Sequence, residues 1–161
     1  EYVQAARLIR ERHPGVRCAL VGAIDSNPNS VSQDELDAWV GDGSVEYLGK
    51  QDDVRPALEA CSVYVLPSYR EGTPRTVLEA MATGRAVITT DAPGCRETVV
   101  TGVNGILIPV KSVSKLVAAM ERFIKEPELA CLMGKRGRKM AEDKYDVNKV
   151  NAVMLHEMGI N

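Results

Sequence analysis

Two glutamates, Glu71 and Glu79, stand eight positions apart around a Gly72-Thr73-Pro74 turn that runs into an amphipathic stretch. Thr73 reads as an N-cap with Pro74 at the first helical position, a favourable helix start. Pro74 carries no N–H, so the free donors are those of Arg75, Thr76 and, next in line, Val77. Those amides and the positive end of the helix dipole make an anion site suited to a diphosphate. Val77, Leu78, Met81 and Ala82 form the apolar stripe, and Glu79 lies off it, one turn below Arg75 and Thr76. Helical side chains lean toward the N-terminus, which aims the Glu79 carboxylate back at the anion site. A carboxylate does not serve a phosphate. It accepts hydrogen bonds only, and a ribose diol donates two. Glu71 would face the other end of the ligand and a second polyol. The layout describes a nucleotide-sugar. Taken singly, a helical Glu is ordinarily a solvated surface residue and Glu71 a turn residue beside Arg70; the combination carries the reading.

These residues need a scaffold, and the composition supplies an ordinary one. The 161 residues are 45% hydrophobic and 26% charged, with a formal net charge of -2, enough for one domain with a sizeable core. That balance offers no electrostatic footprint for nucleic acid. Trp39, Phe123 and five tyrosines are too few for a base-stacking or sugar-stacking surface. Cys18, Cys61, Cys95 and Cys131 form no C-x-x-C pair, and His13 and His156 sit at opposite ends, so no zinc site is expected. Cys18 and Cys61 adjoin apolar runs and read as buried thiols of a reducing compartment. No window approaches the ~18 apolar residues of a membrane span. Residue 1 falls in what reads as a helix already under way, so the expectation is a part of something longer.

Short apolar runs alternate with helical patterns. RCALVG (17–22), VEYLG (45–49), SVYVLPS (62–68), AVITT (86–90) and GILIPV (105–110) are strand candidates. Ser32-x-x-Glu35 is a capping box opening a helix that stops near Gly41. Asp52 or Asp53 can cap a helix to about Cys61, and the helix carrying Glu79 ends at Gly84. From Val110 onward the pattern is helical, over about 112–125, 127–142 and 147–158. Near-continuous apolar strands alternating with helices predict a doubly wound parallel α/β sheet with C-terminal helices. Ligands of such sheets bind at the carboxyl ends of strands, which points to loops 23–31, 49–53, 68–74 and 91–97.

With those elements in place, the chain resembles the C-terminal, donor-binding domain of the retaining GT-B glycosyltransferases of family 4, the glycosyl transferases group 1. Glu71 and Glu79 fall on the E-x7-E motif, with YLG at 47–49, VYVLPS at 63–68, LEAMATG at 78–84, AVITTDAPGCRETV at 86–99 and NGILIPV at 104–110 in family order. The resemblance implies that Glu79 holds the ribose hydroxyls and that Glu71 contacts the transferred sugar at the reacting centre. It implies that backbone amides of Gly72, Thr73, Arg75, Thr76 and Val77, on a loop that includes Pro74, contact sugar and diphosphate. The loop with Gly49, Lys50 and Asp53 lines the base, and Gly22 ends a strand bordering the same cleft. Thr73 and Pro74 depart from the aromatic residue and Gly that family members often carry there. The family's first strand, the basic pair after it and the N-terminal acceptor domain lie outside this sequence.

Transfer of a sugar from a nucleotide-diphosphate sugar, with a UDP-sugar favoured, to a glycan or lipid-linked acceptor in cell-surface polysaccharide synthesis is what this implies. The expected anomeric outcome is retention, with no cofactor and, because no D-x-D occurs, no metal. The expected location is the cytoplasm or the cytoplasmic face of the inner membrane, with peripheral membrane association where the acceptor is lipid-linked. Three alternatives stand beside it: a nucleotide-sugar binding module inactive on its own, a GT-B UDP-sugar epimerase, and an NAD-dependent oxidoreductase. The last lacks the G-x-G-x-x-G it needs, since VGAID at 21–25 has one Gly. GKRGRK at 134–139 reads as a solvated helix face. In the loop 91–97, Asp91, Arg96 and Glu97 face the cleft, Glu97 near a helix start. Met154, Leu155 and Met158 would pack either on the absent domain or in this domain's core.

Overall fold

In the computed structural model, residues 1–25, 27 and 30–159 are described; residues 26, 28 and 29 of the loop expected over 23–31 lie outside them. Along the chain run α1 (Tyr2–Arg12), β1 (Ala19–Leu20), α2 (Gln33–Gly41), β2 (Glu46–Tyr47), α3 (Arg55–Ala60), β3 (Val63–Leu66) and α4 (Arg75–Ala82). Then come β4 (Ala86–Thr90), β5 (Gly105–Ile108), α5 (Val113–Lys125), α6 (Pro127–Lys144) and α7 (Val147–Glu157). All ladders are parallel, with Ala19 opposite Glu46, Val65 opposite Ile88 and Ile88 opposite Ile106.

β4 is the hinge of the core. It is buried along its whole length, and its residues alternate between two layers. Ala86 and Ile88 join Ala5, Ala6 and Ile9 of α1 and Leu116 of α5 on one face. Val87 joins Val77, Ala80 and Met81 of α4 on the other. Burial of a side chain such as Ile88 stabilises the fold by about 1.5–3 kcal/mol, so the sheet is held from both sides.

The expected single sheet is divided. The described strands form two ladders, β1-β2 and β3-β4-β5. Cys18 and Leu20 direct their carbonyls to Glu46 and Leu48 on the β2 side. The Ala19 carbonyl, which points the other way, accepts instead from the Tyr2 hydroxyl at 3.1 Å. β1 therefore spends its free edge on a helix side chain rather than on β3. Burial raises the Tyr2 phenol well above its ordinary pKa.

Several boundaries follow local chemistry. The Ser32–Glu35 capping box is present in both directions and opens α2 as expected. At α3 the cap is Val54, not Asp52 or Asp53; the Asp53 carboxylate accepts from the Arg55 amide and grips its guanidinium. Pro56 occupies the first turn, where no N–H is needed. Between β4 and β5 no described residue is helical; residues 93–98 are turns, so Glu97 caps nothing, and its carbonyl accepts from the Tyr145 hydroxyl. On α6, Gly134 and Gly137 are buried while Lys135 and Arg136 are exposed, so the basic run is a solvated face around two packing glycines. α7 buries no residue, and Met154, Leu155 and Met158 stay exposed, which removes core packing from the two alternatives. Cys18 is buried, and Cys61 is only partly so.

Candidate functional site

The connection from β3 to α4 carries both glutamates, and β4 fixes its floor. Thr89 and Thr90, both buried, spend their hydroxyls on carbonyls at the exit of β3: Thr89 on Leu66 at 2.8 Å and Thr90 on Ser68. Ser68 in turn donates from Oγ to Glu71 Oε1 at 2.6 Å. The Glu71 amide donates to the Pro93 carbonyl at 3.0 Å. Glu71 is therefore held twice, by its side chain from β3's own exit and by its backbone from the loop after β4. It is partly exposed, with its second oxygen available to a ligand.

α4 starts one residue later than the sequence suggests. Its N-cap is Pro74, not Thr73, with φ -68° and ψ 105°, and no side chain caps it. The Pro74 carbonyl accepts from the amides of Val77 at 3.0 Å and Leu78 at 3.3 Å. Pro74 is buried while Thr73 is exposed. Proline also drives the preceding residue toward extended backbone, which keeps Thr73 out of capping position. Arg75 and Thr76 keep amides without an intrahelical acceptor, while Val77 does not. The buried stripe is Val77, Ala80 and Met81, with Leu78 half-buried and Ala82 exposed. The corrected face follows i, i+3, i+4 spacing from Val77.

Glu79 does lean back along the helix. Its Oε1 lies 3.2 Å from Arg75 Nε, with 33% of the Glu79 side chain exposed against 89% for Arg75. Tyr64 on β3 escaped the sequence reading. Burial raises its phenol pKa, the Thr76 side chain opposes this by hydrogen bonding, and the charges of Glu71 and Glu79 push it up further. Tyr64 therefore lies in the layer under α4, with both carboxylates acting on its phenol. The signal was available: in an alternating VYVL strand, Tyr64 faces the α4 side with Leu66.

A second group gathers at the ends of β1 and β2. The Gly22 amide donates to the Gly49 carbonyl at 3.0 Å, and the Gly22 carbonyl accepts from the Tyr47 hydroxyl at 2.7 Å. Lys50 is exposed beside them. Asp53 is exposed and committed to Arg55, whose hydrogen bonds and charge hold its carboxyl below the usual range. Among the described residues no hydrogen bond or ion pair joins this second group to Glu71 or Glu79. An open groove of about 310 Å³ borders Arg75 and Glu79 but runs toward Arg138, Glu142 and Tyr145 of the α6 side, away from Glu71. Both glutamates are partly exposed, Glu71 on the turn and Glu79 on the first turns of α4. Among the described residues no three His, Cys, Asp or Glu side chains converge as metal ligands would.

The similarities to known proteins agree on one family. Residues 2–126 match the family model described as Glycosyl transferases group 1. Over 148 residues the chain is 31% identical to N,N'-diacetylbacillosaminyl-diphospho-undecaprenol alpha-1,3-N-acetylgalactosaminyltransferase of Campylobacter jejuni, covering 92% of this chain and 37% of the relative. Among solved structures, Alr3699/HepE of Anabaena in complex with UDP superposes with a TM-score of 0.87 at 24% identity, over 98% of this chain and 44% of that one. The C-terminal domain of a glycosyl transferase group 1 family protein, LpcC, from Francisella tularensis superposes with a TM-score of 0.78 at 23% identity, over 91% of this chain and 78% of that one. The chain spans about two fifths of the length of the curated relative.

Proposed function

The chain belongs to the glycosyl transferases group 1 family, and from that premise we propose that residues 1–161 bind the nucleotide-sugar donor of a retaining glycosyltransferase. The observation that carries the reading is the order along one helix start: the Glu71 carboxylate, the open amides of Arg75 and Thr76, then the Glu79 carboxylate. A nucleotide-sugar has a hydroxyl-bearing ring on each side of its diphosphate. Glu79 takes the ribose diol, the amides take the diphosphate, and Glu71 takes a hydroxyl of the sugar to be moved. Gly22, Gly49, Lys50 and Asp53 border the base. UDP and UDP-glucose, ligands of the Anabaena neighbour, are the nucleotide and the donor to try first.

In the longer protein the acceptor hydroxyl attacks the anomeric carbon and the nucleoside diphosphate leaves on the same face, taking the acceptor's proton. Catalysis is then mostly stabilisation of charge on the leaving group, by the α4 amides and by a basic pair upstream of residue 1. Glu71 positions and polarises the sugar. No metal takes part. The 161 residues by themselves bind donor without turnover, which fits the partial exposure of the two glutamates.

The division between β1 and β3 supports a further strand there, upstream of α1. Right-handed crossovers leaving a central strand in opposite directions lay their helices on opposite faces of the sheet. α1 lies in the Ile88 layer and α4 in the Val87 layer, as a strand feeding α1 from that gap requires.

The acceptor proposed is a lipid-linked glycan of cell-surface polysaccharide synthesis, as the name of the Campylobacter relative suggests. The location is then the cytoplasmic face of the inner membrane, with peripheral association. Among the described residues no helix is long and apolar enough to cross a membrane. The test is a transfer assay on the full-length protein, with UDP-hexoses and UDP-N-acetylhexosamines offered against polyprenyl-diphosphate saccharides. A product with the donor's anomeric configuration is expected; inverted product would refute retention, and epimerised donor without transfer would favour an epimerase.

A further inference from the structure

Gly94 lies in the turn after β4, far in sequence from Glu71, yet the two backbones touch. A Cβ built on Gly94 would stand 1.9 Å from the Gly72 carbonyl oxygen, 2.2 Å from that of Glu71 and 2.5 Å from the Glu71 carbonyl carbon. All three atoms are backbone, so no side chain can swing aside. Gly94 also has φ +83°, a conformation that L side chains rarely adopt. Its neighbour Pro93 accepts the Glu71 amide at 3.0 Å, so the turn is pressed and bonded at the same point.

We propose that the Pro93-Gly94 turn positions Glu71, and that a glycine at 94 is required for the sugar end of the donor site but not for the nucleotide end. The inference rests on the donor reading above for the word "sugar"; the placement of the Glu71 turn stands without it. Glu71 has two restraints, the Ser68 hydroxyl on its carboxylate and the Pro93 carbonyl on its amide. A methyl at position 94 pushes the Glu71-Gly72 carbonyls outward, which breaks the second restraint and swings the carboxylate off the first. Arg75, Thr76 and Glu79 ride on α4, whose Val77, Ala80 and Met81 are packed in the core, and they stay where they are. Gly94 is therefore a positioning residue, acting through Glu71.

Gly102 provides a matched control, with the same φ of +83° but nothing within 4 Å of the position a Cβ would take. Gly94→Ala and Gly102→Ala thus share the backbone cost and differ in the contact. In ¹⁵N-labelled chain, Gly94→Ala is expected to shift the amides of Ser68, Glu71 and Gly72 and to speed hydrogen exchange at the Glu71 amide at least tenfold, while Gly102→Ala leaves them at wild-type values. In binding, Gly94→Ala is expected to raise the Kd for UDP-glucose about tenfold more than that for UDP, the worth of one hydrogen bond to a charged group. A general loss of folding would lower both affinities together and leave their ratio fixed. Gly94→Ala with unchanged Glu71 exchange, or with no more change than Gly102→Ala, overturns the inference. If neither the wild-type chain nor one extended through the upstream strand binds UDP or UDP-glucose, the donor reading fails instead, and the exchange measurement alone decides whether Gly94 sets the Glu71 turn.

Discussion

Arg75 and Glu79 form an ion pair across the first turn of α4, Nε to Oε1 3.2 Å. The carboxylate assigned to the ribose thus already has a cation beside it, and that cation is almost fully exposed. An exposed i, i+4 pair contributes about 0.3–0.5 kcal/mol to stability. Losing a hydrogen-bonded carboxylate at a ligand costs about 1.5–3 kcal/mol of binding, or tenfold and more in Kd. Glu79→Gln should therefore leave the urea midpoint within experimental error and weaken UDP at least tenfold. Comparable losses in stability and in binding would make Glu79 a structural residue.

The Ser32–Glu35 capping box makes a pH prediction. Hydrogen bonds from the Ser32 amide and hydroxyl hold the Glu35 carboxyl below its ordinary value of 4.5. A carboxyl depressed in the folded state contributes stability above the unfolded pKa and loses it as pH falls through the folded one. Ser32→Ala should cost about 1 kcal/mol at pH 7 through the lost cap. It should also return Glu35 part of the way toward 4.5, since the amide at 32 remains. The difference in Tm between wild type and variant therefore narrows as pH falls from 4.5. Side-chain NMR titration of Glu35 in both proteins checks the cause directly.

GKRGRK is decided by its glycines. A Cβ on Gly134 would lie 2.0 Å from the Gly84 carbonyl oxygen and 2.8 Å from its carbon. Gly134→Ala should destabilise the chain by about 3 kcal/mol, the upper end for overpacking a core. Lys135→Ala, on the solvated face, should change stability by less than about 0.5 kcal/mol. Chemical denaturation of both tells them apart, and equal effects would contradict the packing role given to Gly134.

Metal removal is the fourth prediction. Dialysis against EDTA should leave transfer by the full-length protein unchanged. Activity lost to EDTA and restored by Mg²⁺ or Mn²⁺ would require a metal-diphosphate clamp that the α4 amides were assigned to replace.

The sequence made some of this legible and hid the rest for physical reasons. AVITT was readable as Ala86–Thr90 without error because a strand buried on both faces is apolar throughout. RCALVG and VEYLG shrank to two ladder residues each, since an apolar run records burial and not whether its edge has a partner. The E-x7-E spacing and the backward lean of Glu79 followed from local helix geometry. Thr73 was misassigned because the choice between it and Pro74 turned on burial of the proline ring, a tertiary effect. Tyr64 and Gly94 were missed for a related reason. Gly94 meets Glu71 only because β3 pairs in parallel with β4, and Tyr64 meets the α4 start only because the helix packs on that face, neither of which a local pattern encodes. Ser68 was missed too, although its bond to Glu71 spans three residues and lay within the Ser-x-x-Glu spacing. APG at 92–94 signalled a turn; only the fold shows what the turn presses against.

The central claim is that one helix start holds a nucleoside diphosphate between two carboxylates. The most direct measurement is an NMR titration of the 161-residue chain with UDP, GDP, ADP and CMP, run beside Glu79→Ala. One diphosphate should shift the amides of Gly49 to Asp53 and of Thr73 to Glu79, with the variant at least tenfold weaker. No shift at Arg75 and Thr76 at millimolar ligand, in this chain and in one extended through the upstream strand, would contradict the account.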